Sequence, residues 1–255
     1  MALLETHKLT LAIAGRTLCT DLSVAFHEGE NWALLGANGS GKTTLVHTLA
    51  GLRPADGGRV LLDAEDIHTY PPRLRAKRLG VLFQDYEAAF PTTVMETVLT
   101  GRHPHLDRWE WESDQDVQMA ERALSAMGLT GFSQRPLTTL SGGERRRVEI
   151  ATLLVQDAPL CLMDEPTNHL DLRHQAQVLR LLAERTNRPG NMNLFVLHDV
   201  NLAARYCSHG VLLFGGGDCI HGRLAEILNR TILERLYHCP LREIDAGDGR
   251  YYLPA

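Results

Sequence analysis

Short apolar runs separated by glycine-containing turns organise the chain. Leu9, Leu11 and Ile13 alternate with other residues near the start, and Val24 and Phe26 repeat that two-residue spacing, the period of a half-buried strand. Gly57-Gly58 punctuates the chain, and Arg59-Val60-Leu61-Leu62 reads as a strand returning to the same small antiparallel sheet. Four runs have a different character: Trp32-Ala33-Leu34-Leu35, Val81-Leu82-Phe83, Leu160-Cys161-Leu162-Met163 and Leu194-Phe195-Val196-Leu197 are continuously apolar. Such strands belong to a parallel sheet covered on both faces by helices. Thr44 to Leu52 is expected to be the first of those helices.

From about Asp85 to Pro159 the pattern turns helical. Val117, Ala120, Leu124 and Met127 share one face of a helix, with Gly128 as its stop. This stretch reads as a helical subdomain inserted into an α/β core. The tail carries two short helical stretches, around Leu224–Leu228 and Ile232–Leu236, and Asp248-Gly249 predicts the turn of a closing hairpin. No internal repeat or low-complexity tract interrupts the chain.

Composition narrows the function classes. At 255 residues, 44% hydrophobic and 22% charged, the chain has the make-up of a globular protein with a sizeable core. Its formal net charge of −5 disfavours nucleic acid as the main partner. No apolar run approaches the ~18–20 residues that span a bilayer, and the opening Met1-Ala2-Leu3-Leu4-Glu5 lacks the basic region of a secretory signal. A role at a membrane would require docking onto other chains. Cys19, Cys161, Cys207, Cys219 and Cys239 form no C-x-x-C pair, which suits reduced thiols in the cytosol.

The first candidate chemistry lies between strand and helix. Gly36-Ala37-Asn38-Gly39-Ser40-Gly41-Lys42-Thr43, followed by Thr44, fits the phosphate-loop pattern G-x-x-x-x-G-K-[ST]. Its glycines let backbone N–H groups crowd phosphate oxygens, and the next helix adds its positive end. Lys42 can reach the β- and γ-phosphates of ATP, and the Thr43 hydroxyl can hold Mg2+. The pattern alone fits a GTPase, a nucleotide kinase or a helicase equally well. The guanine-reading Asn-Lys-x-Asp is absent from the sequence.

Strand ends supply the rest. Asp164-Glu165 follow the third apolar run, an address beside the phosphate loop in an open α/β sheet. Asp164 suits Mg2+, and Glu165 suits a water attacking the γ-phosphate. Gln84 follows the second run and can touch Mg2+ or that water. His198 follows the fourth and can hydrogen-bond the γ-phosphate, with Asp199 capping a helix from Val200 to Tyr206. Ser141 and Glu144, in Leu140-Ser141-Gly142-Gly143-Glu144, have capping-box spacing, so a helix starts here. Val148, Ala151 and Val155 mark its core face.

The phosphate loop, Gln84, the LSGGE segment, Asp164-Glu165, Asn168-His169-Leu170-Asp171 and His198 occur in the order and spacing of ABC-type ATPases, which the chain resembles over about residues 1–225. The resemblance implies a P-loop NTPase fold: a nucleotide-binding α/β core with its antiparallel β-subdomain over 1–84 and 160–225, a helical subdomain over 85–159, and a C-terminal extension over 226–255. It also implies a head-to-tail dimer with a second copy. Each ATP would lie between one copy's phosphate loop and the other's Ser141, Gly142 and Gly143, and Asn168–Asp171 would match the family's D-loop. Two positions depart from the family pattern. Ala12, Ile13 and Ala14 stand where an aromatic residue often stacks on adenine, implying aliphatic contacts. Glu144 stands where glutamine is commonest, which is compatible with nearby phosphates if its carboxylate faces back to cap its own helix.

Thr93-Val94-Met95-Glu96-Thr97-Val98, Gly101-Arg102-His103-Pro104-His105-Leu106, Pro166-Thr167-Asn168-His169-Leu170-Asp171 and the segment from His198 to Ala203 resemble importer ATPases for iron–siderophore, haem and cobalamin. That likeness implies integral membrane permease partners, with a periplasmic or lipoprotein substrate-binding protein acting on them. It places the chain at the cytoplasmic face of the cell membrane. The residues about Phe90–Trp111 become the expected docking surface, with Trp109 and Trp111 as its anchors. The alternatives are a soluble ABC ATPase of translation or DNA repair, which usually carries two cassettes or long coiled coils, and an exporter ATPase.

Overall fold

The computed structural model describes residues 2–84, 91–247 and 249–255. Asp85, where the helical insertion is expected to begin, Phe90 of the expected docking surface, and Asp248 of the expected hairpin turn lie outside the described residues. So does Met1.

The chain opens with β1 (Ala2–Ile13), β2 (Arg16–Leu22), β3 (Ala25–His27), β4 (Asn31–Gly36), α1 (Lys42–Leu49), β5 (Gly57–Leu62) and β6 (Glu65–Asp66). It continues through α2 (Pro72–Arg78), β7 (Leu79–Leu82), α3 (Val94–Leu99), α4 (Asp114–Ala126), α5 (Gly142–Gln156), β8 (Leu160–Asp164) and α6 (Leu172–Glu184). It closes with β9 (Met192–Val196), α7 (Val200–Tyr206), β10 (His209–Gly215), β11 (Asp218–Arg223), α8 (Leu224–Ile227), α9 (Arg230–Tyr237), β12 (Leu241–Asp245) and β13 (Arg250–Pro254). Two compact units result, Met1–Thr69 with Ala183–Ala255, and Tyr70–Leu182.

The first unit holds two sheets. β2, β1, β5 and β6 run side by side with β3 paired to the other end of β1, all antiparallel. The second sheet places β4 between β10 and β9, parallel to both, with β11 antiparallel at the edge. β4 and β9 are mostly apolar because both faces are covered: Leu34, Leu35, Leu194, Phe195 and Val196 are fully buried, and the one buried polar residue of β9, Asn193, is hydrogen-bonded to Asn31 and Arg185. The C-terminal hairpin of β12 and β13 is tied to α7 by Asn201, whose Nδ2 donates to the Tyr252 carbonyl (3.1 Å) and whose Oδ1 accepts from the Tyr252 N–H (2.8 Å).

In the second unit β7 and β8 pair in parallel, with helices α2 to α6 around them. Three of these helices begin with a full capping box: Thr93 with Glu96, Ser113 with Asp116, and Ser141 with Glu144. The expected face of α4 is observed. Ala120, Leu124 and Met127 are buried, Val117 is half-buried, and Gly128 takes φ +68° just past the end.

Several expected boundaries shift for identifiable reasons. Ile13 is 47% exposed although Leu9 and Leu11 are fully buried. The pairing register of β1 slips between Leu11 and Ala12, which breaks the two-residue alternation just before the Ala14-Gly15 turn. Helix α1 starts at Lys42 and ends at Leu49, earlier at both ends than the expected Thr44–Leu52, because Gly41 at φ +103° already turns the chain into its first turn. Phe83 lies beyond β7 and is exposed, and Leu197 lies beyond β9. Strands β10 and β11 were not expected.

Candidate functional site

The site residues are divided between the units. In the first, β4 ends at Gly36 and the loop to α1 folds so that Lys42 turns back over it. The Lys42 Nζ donates to the carbonyls of Gly36 (2.9 Å) and Ala37 (3.1 Å), and the residue is only 7% exposed. Gly41 adopts φ +103°, a conformation that a side chain would strain, and a Cβ there would lie 2.8 Å from Leu18. The start of α1 has no side-chain cap, as at α2 and α8, whereas α3, α4, α5, α7 and α9 have one. The N–H groups of a first helical turn have no intrahelical acceptor. An uncapped turn beside a buried lysine therefore suits an anion. The Ser40 hydroxyl is also buried with no hydrogen-bond partner among the described residues. Ala37, Thr43 and Thr44 are half-buried, and Asn38 and Gly39 are exposed.

The same unit places His198 exposed just past β9, and Asp199 caps α7 by accepting from the Asn201 N–H (2.7 Å). Helix α7 runs from Val200 to Tyr206 as expected.

The second unit brings Asp164, Glu165, Gln84 and Asn168 together. Asp164 is the last residue of β8 and only 1% exposed. Glu165 follows it at φ +49°, a left-handed conformation uncommon for a residue with a side chain and shared among the described residues by eight other non-glycine positions. Gln84 Nε2 donates to Glu165 Oε2 (3.4 Å), and Asn168 Nδ2 donates to the same oxygen. The hydroxyl, amide and carboxylate oxygens offered by Thr43, Gln84 and Asp164 are the hard donors Mg2+ prefers. Among the described residues no group of three or more His, Cys, Asp or Glu side chains is placed to hold a metal ion. His105 hydrogen-bonds the Gln156 carbonyl (2.9 Å).

At the start of α5, Glu144 does face back. Its Oε2 accepts from the Ser141 N–H and hydroxyl, both at 2.8 Å, and its own N–H donates to Ser141 Oγ (3.3 Å). The Ser141 N–H, its hydroxyl, and Arg135 and Arg147 nearby hold the Glu144 carboxyl below its ordinary value. The carboxylate is thereby committed to its own helix. Asn168–Asp171 packs on the same turn: a Cβ on Gly143 would lie 2.7 Å from the His169 carbonyl oxygen, and one on Gly142 would lie 3.6 Å from the His169 side chain. Gly143 is thus a packing requirement.

Sequence reasoning overlooked Arg146. It sits in a run of three arginines that reads as a solvated surface, yet it is 3% exposed and donates to main-chain carbonyls around Gln84 and Glu165. The available signal was helical spacing, since Arg146 heads the row continued by the buried Ile150 and Leu153. Trp109 and Trp111, by contrast, are 88% and 85% exposed.

Comparison with known proteins agrees with this geometry. Residues 19–168 match the family model described as ABC transporter. The chain is 38% identical to the ferric enterobactin transport ATP-binding protein FepC of Escherichia coli (strain K12), covering 93% of this chain and 88% of FepC. It is also 38% identical to the hemin import ATP-binding protein HmuV of Burkholderia pseudomallei (strain 1710b), covering 97% of each. Among solved structures, an ABC transporter in an inward-facing conformation superposes with a TM-score of 0.85 at 26% identity, over 100% of this chain and 98% of that one. The chain therefore belongs to the ABC transporter family, as an ATP-hydrolysing cassette.

Proposed function

We propose that this chain powers uptake of an iron chelate, haem or cobalamin through integral membrane permease subunits, with a periplasmic or lipoprotein substrate-binding protein delivering the cargo. Two copies work as a head-to-tail dimer at the cytoplasmic face of the cell membrane. No described helix is long and apolar enough to cross a membrane, so attachment to the membrane runs through the permease. Residues 91–111 form the docking surface on that reading. The exposed Trp109 and Trp111 are its anchors.

Backbone N–H groups of the loop from Gly36 to Thr44, with Lys42, bind the phosphates of ATP. Ser141, Gly142 and Gly143 of the other copy face the γ-phosphate. Half-exposed Ile13 supplies an aliphatic contact to adenine. Mg2+, held by Thr43, Gln84 and Asp164, would neutralise charge on the phosphates. Glu165 orients the attacking water and accepts its proton, Gln84 aligns that water, and His198 donates a hydrogen bond to the γ-phosphate. Catalysis is then positioning and electrostatics, since phosphoryl transfer needs little covalent assistance from protein. ATP binding closes the dimer, closure moves the permease, and hydrolysis resets it.

One observation carries the catalytic assignment. Glu165 is held in a left-handed turn at the end of a buried strand, with two side-chain amides on one carboxylate oxygen. The expected results are that Glu165→Gln binds ATP but stalls turnover in a closed dimer, and that Lys42→Ala loses most ATP affinity. Steady-state phosphate release at the unaltered rate by Glu165→Gln would sink the role of Glu165, and unchanged filter-binding of ATP by Lys42→Ala would sink that of the loop. Cargo is tested in cells carrying the Lys42→Ala allele, by growth on ferric siderophore, haem or cobalamin as the limiting nutrient. Loss of growth on one source alone identifies it, and growth on all three refutes import of these cargoes.

A further inference from the structure

Helix α5 starts with Ser141-Gly142-Gly143 and, one turn later, turns Arg146 inward. A buried guanidinium requires both a counter-charge and acceptors for its fork of N–H groups. Glu149 supplies the charge, accepting from Nη1 at 2.8 Å. The remaining bonds all go to main-chain carbonyls. Nη1 reaches Phe83 O (2.6 Å), and Nη2 reaches Asp164 O (2.5 Å) and Glu165 O (2.8 Å). Phe83 immediately precedes Gln84. Asp164 and Glu165 are the proposed metal and catalytic carboxylates. One planar group thus grips the backbone beside all three.

That grip falls where the backbone needs it. Glu165 sits at φ +49°, and a conformation of that kind persists only when its surroundings over-determine it. The Asn168 N–H also donates to the Glu165 carbonyl (3.1 Å). The Glu165 carboxylate receives Gln84 Nε2, on a segment that Arg146 also holds. The geometry points to Arg146 as a positioning residue for ATP hydrolysis, which fixes Glu165 and Gln84 relative to each other through their main chains. It also links the start of α5, proposed to meet the partner's nucleotide, to the catalytic carboxylate of the same chain. This inference rests on the proposed roles of Glu165 and Gln84. Lysine cannot reproduce it in full, because a single ammonium lacks the two-pronged reach that spans Phe83 on one side and Asp164 and Glu165 on the other.

The test uses Arg146→Met and Arg146→Lys in the full chain. It reads steady-state ATP hydrolysis, binding of a non-hydrolysable fluorescent ATP analogue, and thermal unfolding. Arg146→Met is expected to lower kcat by roughly 10²-fold, the cost of misplacing a catalytic group by about 1 Å. Analogue Kd and binding stoichiometry should stay within about threefold, since the phosphate loop is untouched. Arg146→Lys should recover part of that loss in kcat with KM little changed. In a Glu165→Gln background, single-turnover measurements should show Arg146→Met adding less than about twofold, because residues acting through one group are non-additive. A loss that multiplies in the double variant, or one matched by loss of bound analogue, would mean a merely structural arginine and overturn the proposal. If Arg146→Met does not fold, Arg146→Lys decides alone, and a kcat equal to that of the unaltered chain overturns it. An active Glu165→Gln would bring down the underlying assignment. An inactive Glu165→Gln beside a fully active Arg146→Met would bring down only the role of Arg146.

Discussion

Adjacent glycines in the signature turn are predicted to respond differently to the same substitution, because different neighbours limit them. In Gly143→Ala the new Cβ would lie 2.7 Å from the His169 carbonyl oxygen. Ordinary carbon–oxygen contacts lie at about 3.3 Å or more, so α5 and the Asn168–Asp171 segment must separate by roughly 0.6 Å. Overpacking of this kind costs about 1–3 kcal/mol. Replacing glycine in a helix returns at most ~1 kcal/mol. The net loss is about 1 kcal/mol, which for a chain of this size lowers Tm by roughly 2–4 °C. In Gly142→Ala the Cβ meets the His169 side chain at 3.6 Å, an ordinary contact. Tm should hold or rise by up to about 3 °C from the helix term alone. Turnover is expected to run the other way. A methyl group on Gly142 enters the space assigned to the partner copy's γ-phosphate, and hydrolysis should fall at least ~10²-fold from displaced reacting groups. Thermal unfolding and phosphate release on the two purified variants make the comparison. A fully active Gly142→Ala would refute the placement of that residue on a nucleotide held by another copy. A Gly143→Ala protein as stable as the parent would refute the close approach of His169.

The caps and the buried ion pair give further tests. Ser141→Ala removes the acceptor of the Glu144 N–H and one donor to its carboxylate, so stability should fall by about 1 kcal/mol in a urea titration. Glu144→Gln keeps an acceptor oxygen for the Ser141 N–H while removing charge, and ATP turnover should be maintained; a loss greater than ~10-fold would show that the carboxylate itself is needed. Burial raises the Asp116 carboxyl, but the Ser113 hydroxyl and N–H, together with Arg102 at 2.6 Å, outweigh it and hold the group below its ordinary value. Such a group stabilises the fold above the ordinary carboxylate value, and that contribution disappears as pH falls through the depressed one. Asp116→Asn should therefore cost at most about 3 kcal/mol near neutrality, with the half-buried Arg102 left without its carboxylate partner, and should flatten the acid limb of stability below the ordinary carboxylate range. An acid limb identical to the parent's would remove Asp116 from the account.

Local physical chemistry was legible along the chain without any coordinates. The apolar runs Trp32–Leu35, Val81–Phe83, Leu160–Met163 and Leu194–Leu197 fall on β4, β7, β8 and β9, the second and fourth overrunning the strand by one residue, because a strand covered on both faces is mostly apolar. The Ser141–Glu144 and Asp199 caps follow from three- and two-residue spacings that the backbone of a first helical turn dictates. The capping box also explains why a carboxylate is acceptable at position 144. The phosphate loop was legible for the same reason: its chemistry is carried by consecutive residues.

What only the tertiary structure decided depends on partners distant in the chain. The slip of β1 beside the exposed Ile13 is set by pairing with β2, and strand β10 pairs with β4, which lies far earlier in sequence. Gly143 is needed because the His169 carbonyl, 26 positions on, excludes a side chain there. Arg146 was not singled out in the sequence, and its main-chain acceptors lie 63, 18 and 19 positions away. A hydrogen bond to a main-chain carbonyl leaves no trace in the residue type of the acceptor, since every residue has one. The grip on the backbone of Glu165 therefore became visible only when the chain was folded.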